Sequence, residues 1–318
     1  MGITGIQQPA LIILAAAAGI FLGSATPLGS APAAVTEFFL ILLLYVLFMT
    51  VDTRLVKESF SNLRFTASAA AVNFIFTPVL AYVLGIVFFA DSADLRIGLL
   101  MLLATPCTDW YIVFTGLSRG NVELSLSILP LNLALQILLL PVYLFLFMGG
   151  SVGIDAVSLL ESAAPVLAIP LIGAAATRKI SGRASRFAAA RKDGLQILFL
   201  CLAVAVMFAS ESGPLLDNVS LLLSLFVPLM IFFASAFAAA QCTGKALKFS
   251  RGDTVSLSFT VLARNSPLAL AVAVAAFPDR PLISLALVIG PLIELPVLSF
   301  ISWMLMRRNP GTGCPDNG

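Results

Sequence analysis

LLMLLATPCTDWYIVF at residues 99–114 and FTVLARNSPLALAVAV at residues 259–274 decide how this chain folds. Each is an apolar run interrupted by a proline among small polar residues: Pro106 between Thr105 and Thr108, Pro267 after Asn265 and Ser266. Proline has no N–H and clashes with the turn before it. In a bilayer the freed backbone groups must be satisfied by protein, water or solute. Both runs therefore read as discontinuous helices crossing near the midplane, with half-helix ends that present N–H and C=O dipoles to a solute. The alternative is two proline kinks with no site between them.

Working outward, the next span after each run also carries a proline motif, ILPLNLALQ at 128–136 and IGPLIELPV at 289–297. Pro106 and Pro267 lie 161 residues apart, and so do Pro130 and Pro291. That spacing predicts two repeats in register, about 1–150 and about 151–308, followed by a tail at 309–318. Five spans per repeat is an odd number, so the two repeats must be inverted in the membrane. Inverted repeats of this kind mark transporters.

Composition agrees with that reading. Of 318 residues, 60% are hydrophobic and 11% charged, where a soluble domain carries about a quarter charged residues. A net charge of +2 excludes a nucleic-acid binder, and the absence of histidine removes the commonest general base and metal ligand. The apolar runs have roughly the 20 residues that cross a bilayer as a helix. The expected class is an all-α polytopic membrane protein with ten spans at 9–26, 32–51, 65–90, 97–118, 124–148, 156–177, 194–213, 218–241, 254–276 and 282–305. Residues 9–26 read as a retained helix rather than a signal peptide. Alternate connections hold 15 basic residues on one side and only Arg96 and Arg280 on the other. The positive-inside rule then puts both termini in the cytoplasm of a plasma (inner) membrane protein.

Three charged residues sit near the centres of their spans: Asp109, Arg264 and Glu294. A charge there costs roughly 2.5–3.5 kcal/mol even on a lenient insertion scale, and such residues face a bundle interior or a wet cavity. Glu294 is a candidate proton carrier. Arg264 is a fixed positive charge that either attracts an anion or holds the crossing together. A purely structural ion pair, Arg264 with Asp109 or with Glu294, remains open. Glu37, Glu161 and Glu211 read as interfacial. Cys107 follows Pro106 at the first break, where it is either an apolar filler or a soft thiol ligand on the solute path. Cys201, Cys242 and Cys314 have no such setting, and no C-x-x-C pair suggests a metal or redox site.

ATPCTDWYIVFTGLSRG at 104–120, LARNSPLALAVAVAAF at 262–277 and VIGPLIELPV at 288–297 resemble the arsenical-resistance-3 (Acr3) type permeases of the bile acid/sodium symporter superfamily. In the arsenite permeases a span-4 cysteine and a span-10 glutamate form the functional pair, and Cys107 and Glu294 occupy those positions. The resemblance implies a core of spans 3–5 and 8–10 and a panel of spans 1, 2, 6 and 7. It also shows departures. Sodium-coupled members carry an acidic residue in span 9, four residues before a glutamine–asparagine–serine run. Here Thr260 takes the place of the acid and Arg264 that of the glutamine, which argues against the usual sodium sites. Asp109 and Trp110 also differ from the best-known arsenite permeases.

The expected function is proton-coupled efflux of trivalent arsenite, with antimonite as a second solute. Cys107, Thr105, Thr108, Asn265 and Ser266 would contact the solute and Glu294 would couple the proton. Asp109 and Arg264 would form a charge network, and Pro106 and Pro267 the helix breaks. No cofactor, metal or nucleic-acid partner is expected; the partners are a small solute and the bilayer. The alternative is an organic-anion carrier of the same fold in which Arg264 binds the anion. No H-E-x-x-H, G-x-S-x-G or phosphate-binding glycine loop points to an enzyme.

Overall fold

The computed structural model describes residues 7–25, 33–50, 62–108, 110–152, 156–180, 187, 190–210, 212 and 219–307. Asp109, Glu211, Cys314, Arg54, Lys57, Arg183, Arg186, Arg308 and the tail 309–318 lie outside the described residues, as do the side chains of Glu37 and Glu161. Regular structure among the described residues is helical, apart from one isolated bridge. In chain order the helices are α1 (Gln7–Ala25), α2 (Ala33–Thr50), α3 (Leu63–Phe88), α4 (Ala93–Ala104), α5 (Trp110–Leu117), α6 (Val122–Val152) and α7 (Ala156–Ile180). They continue with α8 (Lys192–Ser210), α9 (Val219–Ser224), α10 (Phe226–Ala246), α11 (Arg251–Leu262), α12 (Ser266–Ala276) and α13 (Pro281–Arg307). Of these, α3, α6, α10 and α13 are long and apolar enough to cross a membrane. The runs expected at 97–118 and 254–276 are each two helices, α4 with α5 and α11 with α12.

The helix expected to end at 241 continues to Ala246. Gly244 is buried inside α10, where an added Cβ would come within 2.6 Å of Thr254. The helix ends instead with Lys248 in the left-handed region at φ 54, closed by bonds from the Phe249 N–H to the Gly244 carbonyl and from the Lys248 N–H to the Lys245 carbonyl.

Helices α1, α2, α7 and α8 pack on one another in series. Gly19 and Gly23 lie one turn apart on α1, and a Cβ at either would collide with the backbone of α8 at Ala205 or Ala209. Small residues at such spacing let two helices approach closely where no hydrophobic effect drives them together. The other helices form a second group, in which α4 lies along α13. Each of these two gives up a side chain at the contact: a Cβ on Gly98 would come within 2.8 Å of Ala286, and one on Gly290 within 2.6 Å of Leu102. That closeness brings the middle of α13 against the end of α4.

A π-helical turn at Val72–Phe76 interrupts α3 just before Pro78. Pro78 cannot donate to the carbonyl four residues back. The Tyr143 hydroxyl of α6 donates to that carbonyl, Phe74 O, at 2.6 Å, and Thr77 donates to Asn73 O at 2.6 Å. The turn leaves the Asn73 side chain fully buried.

Bonds at the loops gather basic residues at one end of the bundle. Arg64 donates to Leu247 O, Arg251 donates to Leu305 O, and the Asn121 amide donates to Asp253. Elsewhere Arg280 pairs with Asp94 at 2.6 Å, and these are the turns that hold the two basic residues of the sparse side.

Candidate site at the helix crossing

Helix α4 starts behind Ser92, whose hydroxyl accepts from the Leu95 N–H; α11 starts behind Ser250, whose hydroxyl accepts from the Asp253 N–H. Helix α4 ends at Ala104 and α11 at Leu262. Both the caps and the ends are therefore 158 residues apart, not the 161 that separate the prolines. Pro106 and Pro267 are not equivalent. Pro106 sits in the first break, whereas Pro267 lies in the first turn of α12, where the amide hydrogen is surplus. Each proline occupies a position that tolerates the loss of an N–H, and such positions need not correspond.

The two breaks run antiparallel and are stitched together. The Cys107 N–H donates to Ala263 O at 2.9 Å, and the Asn265 N–H donates to Thr105 O at 2.8 Å. Between those bonds Pro106 and Arg264 face each other as an isolated bridge. In such a pair the N–H groups point away from the partner segment. Pro106 therefore loses nothing by having none, and the Arg264 N–H is left for another acceptor. That acceptor is Oε1 of Glu294 on α13, at 3.0 Å.

Four helix ends meet here: the C-termini of α4 and α11 and the N-termini of α5 and α12. Cys107 and Asn265 cap the latter two in the same way. The Cys107 Sγ accepts from the Trp110 N–H at 3.3 Å, and Asn265 Oδ1 accepts from the Leu268 N–H at 3.3 Å. Asn265 also donates to Gln136 of α6 at 3.4 Å. Gln136 lies 158 residues before Glu294, so an amide and a carboxylate hold corresponding places on the two sides of the crossing.

Arg264 is 2% exposed. Its Nη1 donates to Leu103 O at 2.9 Å, its Nη2 to Asn73 Oδ1 at 3.1 Å and its Nε to Leu262 O at 3.3 Å. The guanidinium also stands 5.3 Å over the Phe232 ring. Among the described residues it forms no ion pair, so the pairing of Arg264 with Glu294 left open by the sequence is not the contact found: Glu294 meets the Arg264 backbone instead.

A cavity opens beside the crossing, with about 460 Å³ of empty space, part of it open to the surroundings. Trp110, the first residue of α5, lines it together with Ser266 and Pro267, the first residues of α12. Arg264 also lines it, as do Glu294 and Pro291 of α13 and Leu200 and Val204 of α8. The Ser266 hydroxyl is buried with no hydrogen-bond partner among the described residues. Two helix N-termini on one wall favour an oxygen-rich or anionic solute.

The residues expected at the site divide into groups. Glu294, Ser266, Arg264 and Pro267 line the cavity, whereas Asn265 is not part of its wall and donates to Gln136. Cys107 is 4% exposed and reaches the wall through the Trp110 amide it caps. Thr105 is turned back into α4, where its hydroxyl donates to Met101 O at 2.9 Å. Thr108 is buried and is not part of the cavity wall. Asp109 is outside the described residues.

The sequence reading missed Asn73, Asn132 and Gln136. Asn132 and Gln136 are fully buried, and the Asn132 amide and the Gln136 Nε2 have no partner among the described residues. Their four-residue spacing on one face of an otherwise apolar helix was the available signal.

A buried carboxylate beside a cavity, held against two broken helices that cross, is the arrangement of a membrane transporter. The chain belongs to the Sodium Bile acid symporter family, whose model matches residues 37–218. It is a transporter and not an enzyme. It is 24% identical to the arsenical-resistance protein Acr3 of Corynebacterium glutamicum, over 95% of this chain and 88% of that protein. It is 23% identical to the Acr3 of Alkaliphilus metalliredigens, over 81% of this chain and 77% of that protein. It is also 27% identical to the uncharacterized protein YbaS of Bacillus subtilis, over 75% of this chain and 78% of that protein.

Proposed function

We propose that this carrier exports trivalent arsenite, with antimonite as a second solute, in exchange for protons. The observation that carries the reading is Glu294, a buried carboxylate that forms part of the cavity wall and also accepts the Arg264 N–H of the crossing. A carboxylate accepts such a bond more strongly than a carboxylic acid does. Proton binding at Glu294 would therefore loosen α13 from the crossing as the solute site changes occupancy. The two relatives named for arsenical resistance support the choice of solute.

In this reading the chain has ten spans in two inverted repeats, with both termini in the cytoplasm of the plasma membrane. The matched caps at Ser92 and Ser250 support the repeat, and the basic residues gathered at one end support the orientation. Helices α3–α6 and α9–α13 form the core, and α1, α2, α7 and α8 the panel. The cavity lies where the two groups meet, which is where alternating access needs it.

Arsenite is the neutral trihydroxide at pH 7. The Ser266 hydroxyl and the α12 N-terminus offer contacts to its oxygens, while the Cys107 thiol is a soft ligand for arsenic. Condensation of the thiol with one As–OH forms an S–As bond, breaks an As–O bond and releases one water. The thiol hydrogen leaves in that water, no oxidation state changes, and hydrolysis reverses the step on release. The organic-anion alternative would draw on the Arg264 guanidinium, which spends three of its five N–H groups on protein oxygens and so offers an anion at most two.

In an arsenite-sensitive host, Cys107→Ser and Glu294→Gln should each reduce tolerance of arsenite to that of cells without the carrier, at unchanged membrane expression. Full resistance in both variants would sink the assignment.

A further inference from the structure

Arg264 raises a question that transport of a neutral solute does not answer. Its guanidinium lies in the core, in no ion pair among the described residues although the Glu294 carboxylate stands at its own backbone N–H, with an oxygen on each nitrogen: Leu103 O, Leu262 O and Asn73 Oδ1. Two of these are carbonyls from the last turns of α4 and α11. A helix C-terminus carries a partial charge of about −0.5. Two such ends facing one point make up about one negative charge, which the guanidinium matches. The Phe232 ring adds its face at 5.3 Å. The third oxygen comes from a π-helical turn of α3 that brings Asn73 to the crossing, and the same amide fixes the end of α11 by donating to Thr260 O at 3.3 Å. The cage therefore draws on α3, α4 and α11, and the three oxygens that accept from the guanidinium are neutral, with the Glu294 carboxylate held at the backbone beside it.

We propose that Arg264 is a tethered cation, permanently filling an oxygen-lined cation site where the two broken helices meet. A monovalent cation would find the same carbonyl oxygens and the same helix ends, but the guanidinium already holds them. The carrier consequently needs no bound sodium to close its crossing, and removing the side chain uncovers a site for a small cation or a guanidinium compound. This inference rests on the chain being a carrier with a stitched crossing, and is independent of which solute it carries.

The test is thermal unfolding of the purified full-length protein in detergent, which requires no substrate. Sodium, potassium, choline and ethylguanidinium chlorides are compared at equal, low ionic strength. Wild type should unfold at the same temperature in all four. Arg264→Ala should unfold several degrees lower in choline and recover most of that loss with ethylguanidinium or sodium. If Arg264→Ala does not accumulate folded, Arg264→Lys keeps a tethered charge and should still fold, and the wild-type sodium arm still decides. A sodium-specific stabilisation of wild type overturns the proposal. So does Arg264→Ala unfolding with wild type in choline, or choline restoring it as well as ethylguanidinium does. Loss of arsenite transport with these results intact would count against the solute alone.

Discussion

At the first break, proline faces the partner segment, a thiol caps the following helix, and an amide stands on the neighbouring long helix. At the second, arginine faces the partner, an asparagine caps the helix, and a carboxylate stands at the matching place. The backbone is shared: the same capped starts, the same antiparallel stitching, and caps that serve the amide three residues on. The chemistry is divided. Both buried charges described at the crossing, Arg264 and Glu294, belong to the second half, and the buried thiol of Cys107 belongs to the first. The matching backbone thus supplies a frame, and the asymmetry of side chains puts a thiol on one side and charge on the other.

The amide–carboxylate contrast can be broken at Gln136. Gln136→Leu removes the acceptor for the Asn265 amide, and a stranded buried donor costs about 1–3 kcal/mol. Transport should fall about tenfold or more if that energy is lost from the transport-competent crossing. Gln136→Glu keeps the acceptor and should retain more transport than Gln136→Leu, as read by solute flux at matched expression. Equal loss in both would assign the role to the Gln136 N–H groups instead.

The contrast between caps gives a smaller effect. Asn265→Ala should destabilise by about 1 kcal/mol, the usual cost of losing an asparagine cap. Cys107→Ala should unfold close to wild type, because sulfur is a weak acceptor, while transport is lost. Denaturation in detergent separates the two. A Cys107→Ala protein as unstable as Asn265→Ala would make the thiol structural.

The bilayer-spanning class and the broken helices were legible because charge scarcity and proline act through general rules. The one-sided basic loops carry the proposed orientation through the positive-inside rule. The register was not legible. Prolines sit where an N–H is dispensable, and Pro106 and Pro267 meet that condition in different ways, one facing across a bridge and one in a first helical turn. Nor could spacing show that Arg264 would reach Asn73, 191 residues earlier in the chain, instead of a carboxylate. Thr105 looked like a ligand because it is polar beside a break, yet its hydroxyl satisfies its own helix end. A polar residue at a break is as often closing the helix as opening a site, and only the hydrogen-bond partners distinguish the two.

In the proposed cycle Glu294 couples the crossing to proton movement. Proteoliposomes loaded with arsenite and a pH-sensitive dye test it most directly. Wild type should show arsenite efflux accompanied by proton entry, and an imposed inward proton gradient should drive efflux. Glu294→Gln should show neither coupled proton movement nor gradient-driven efflux. Proton-coupled arsenite flux at the wild-type rate in Glu294→Gln would contradict the account.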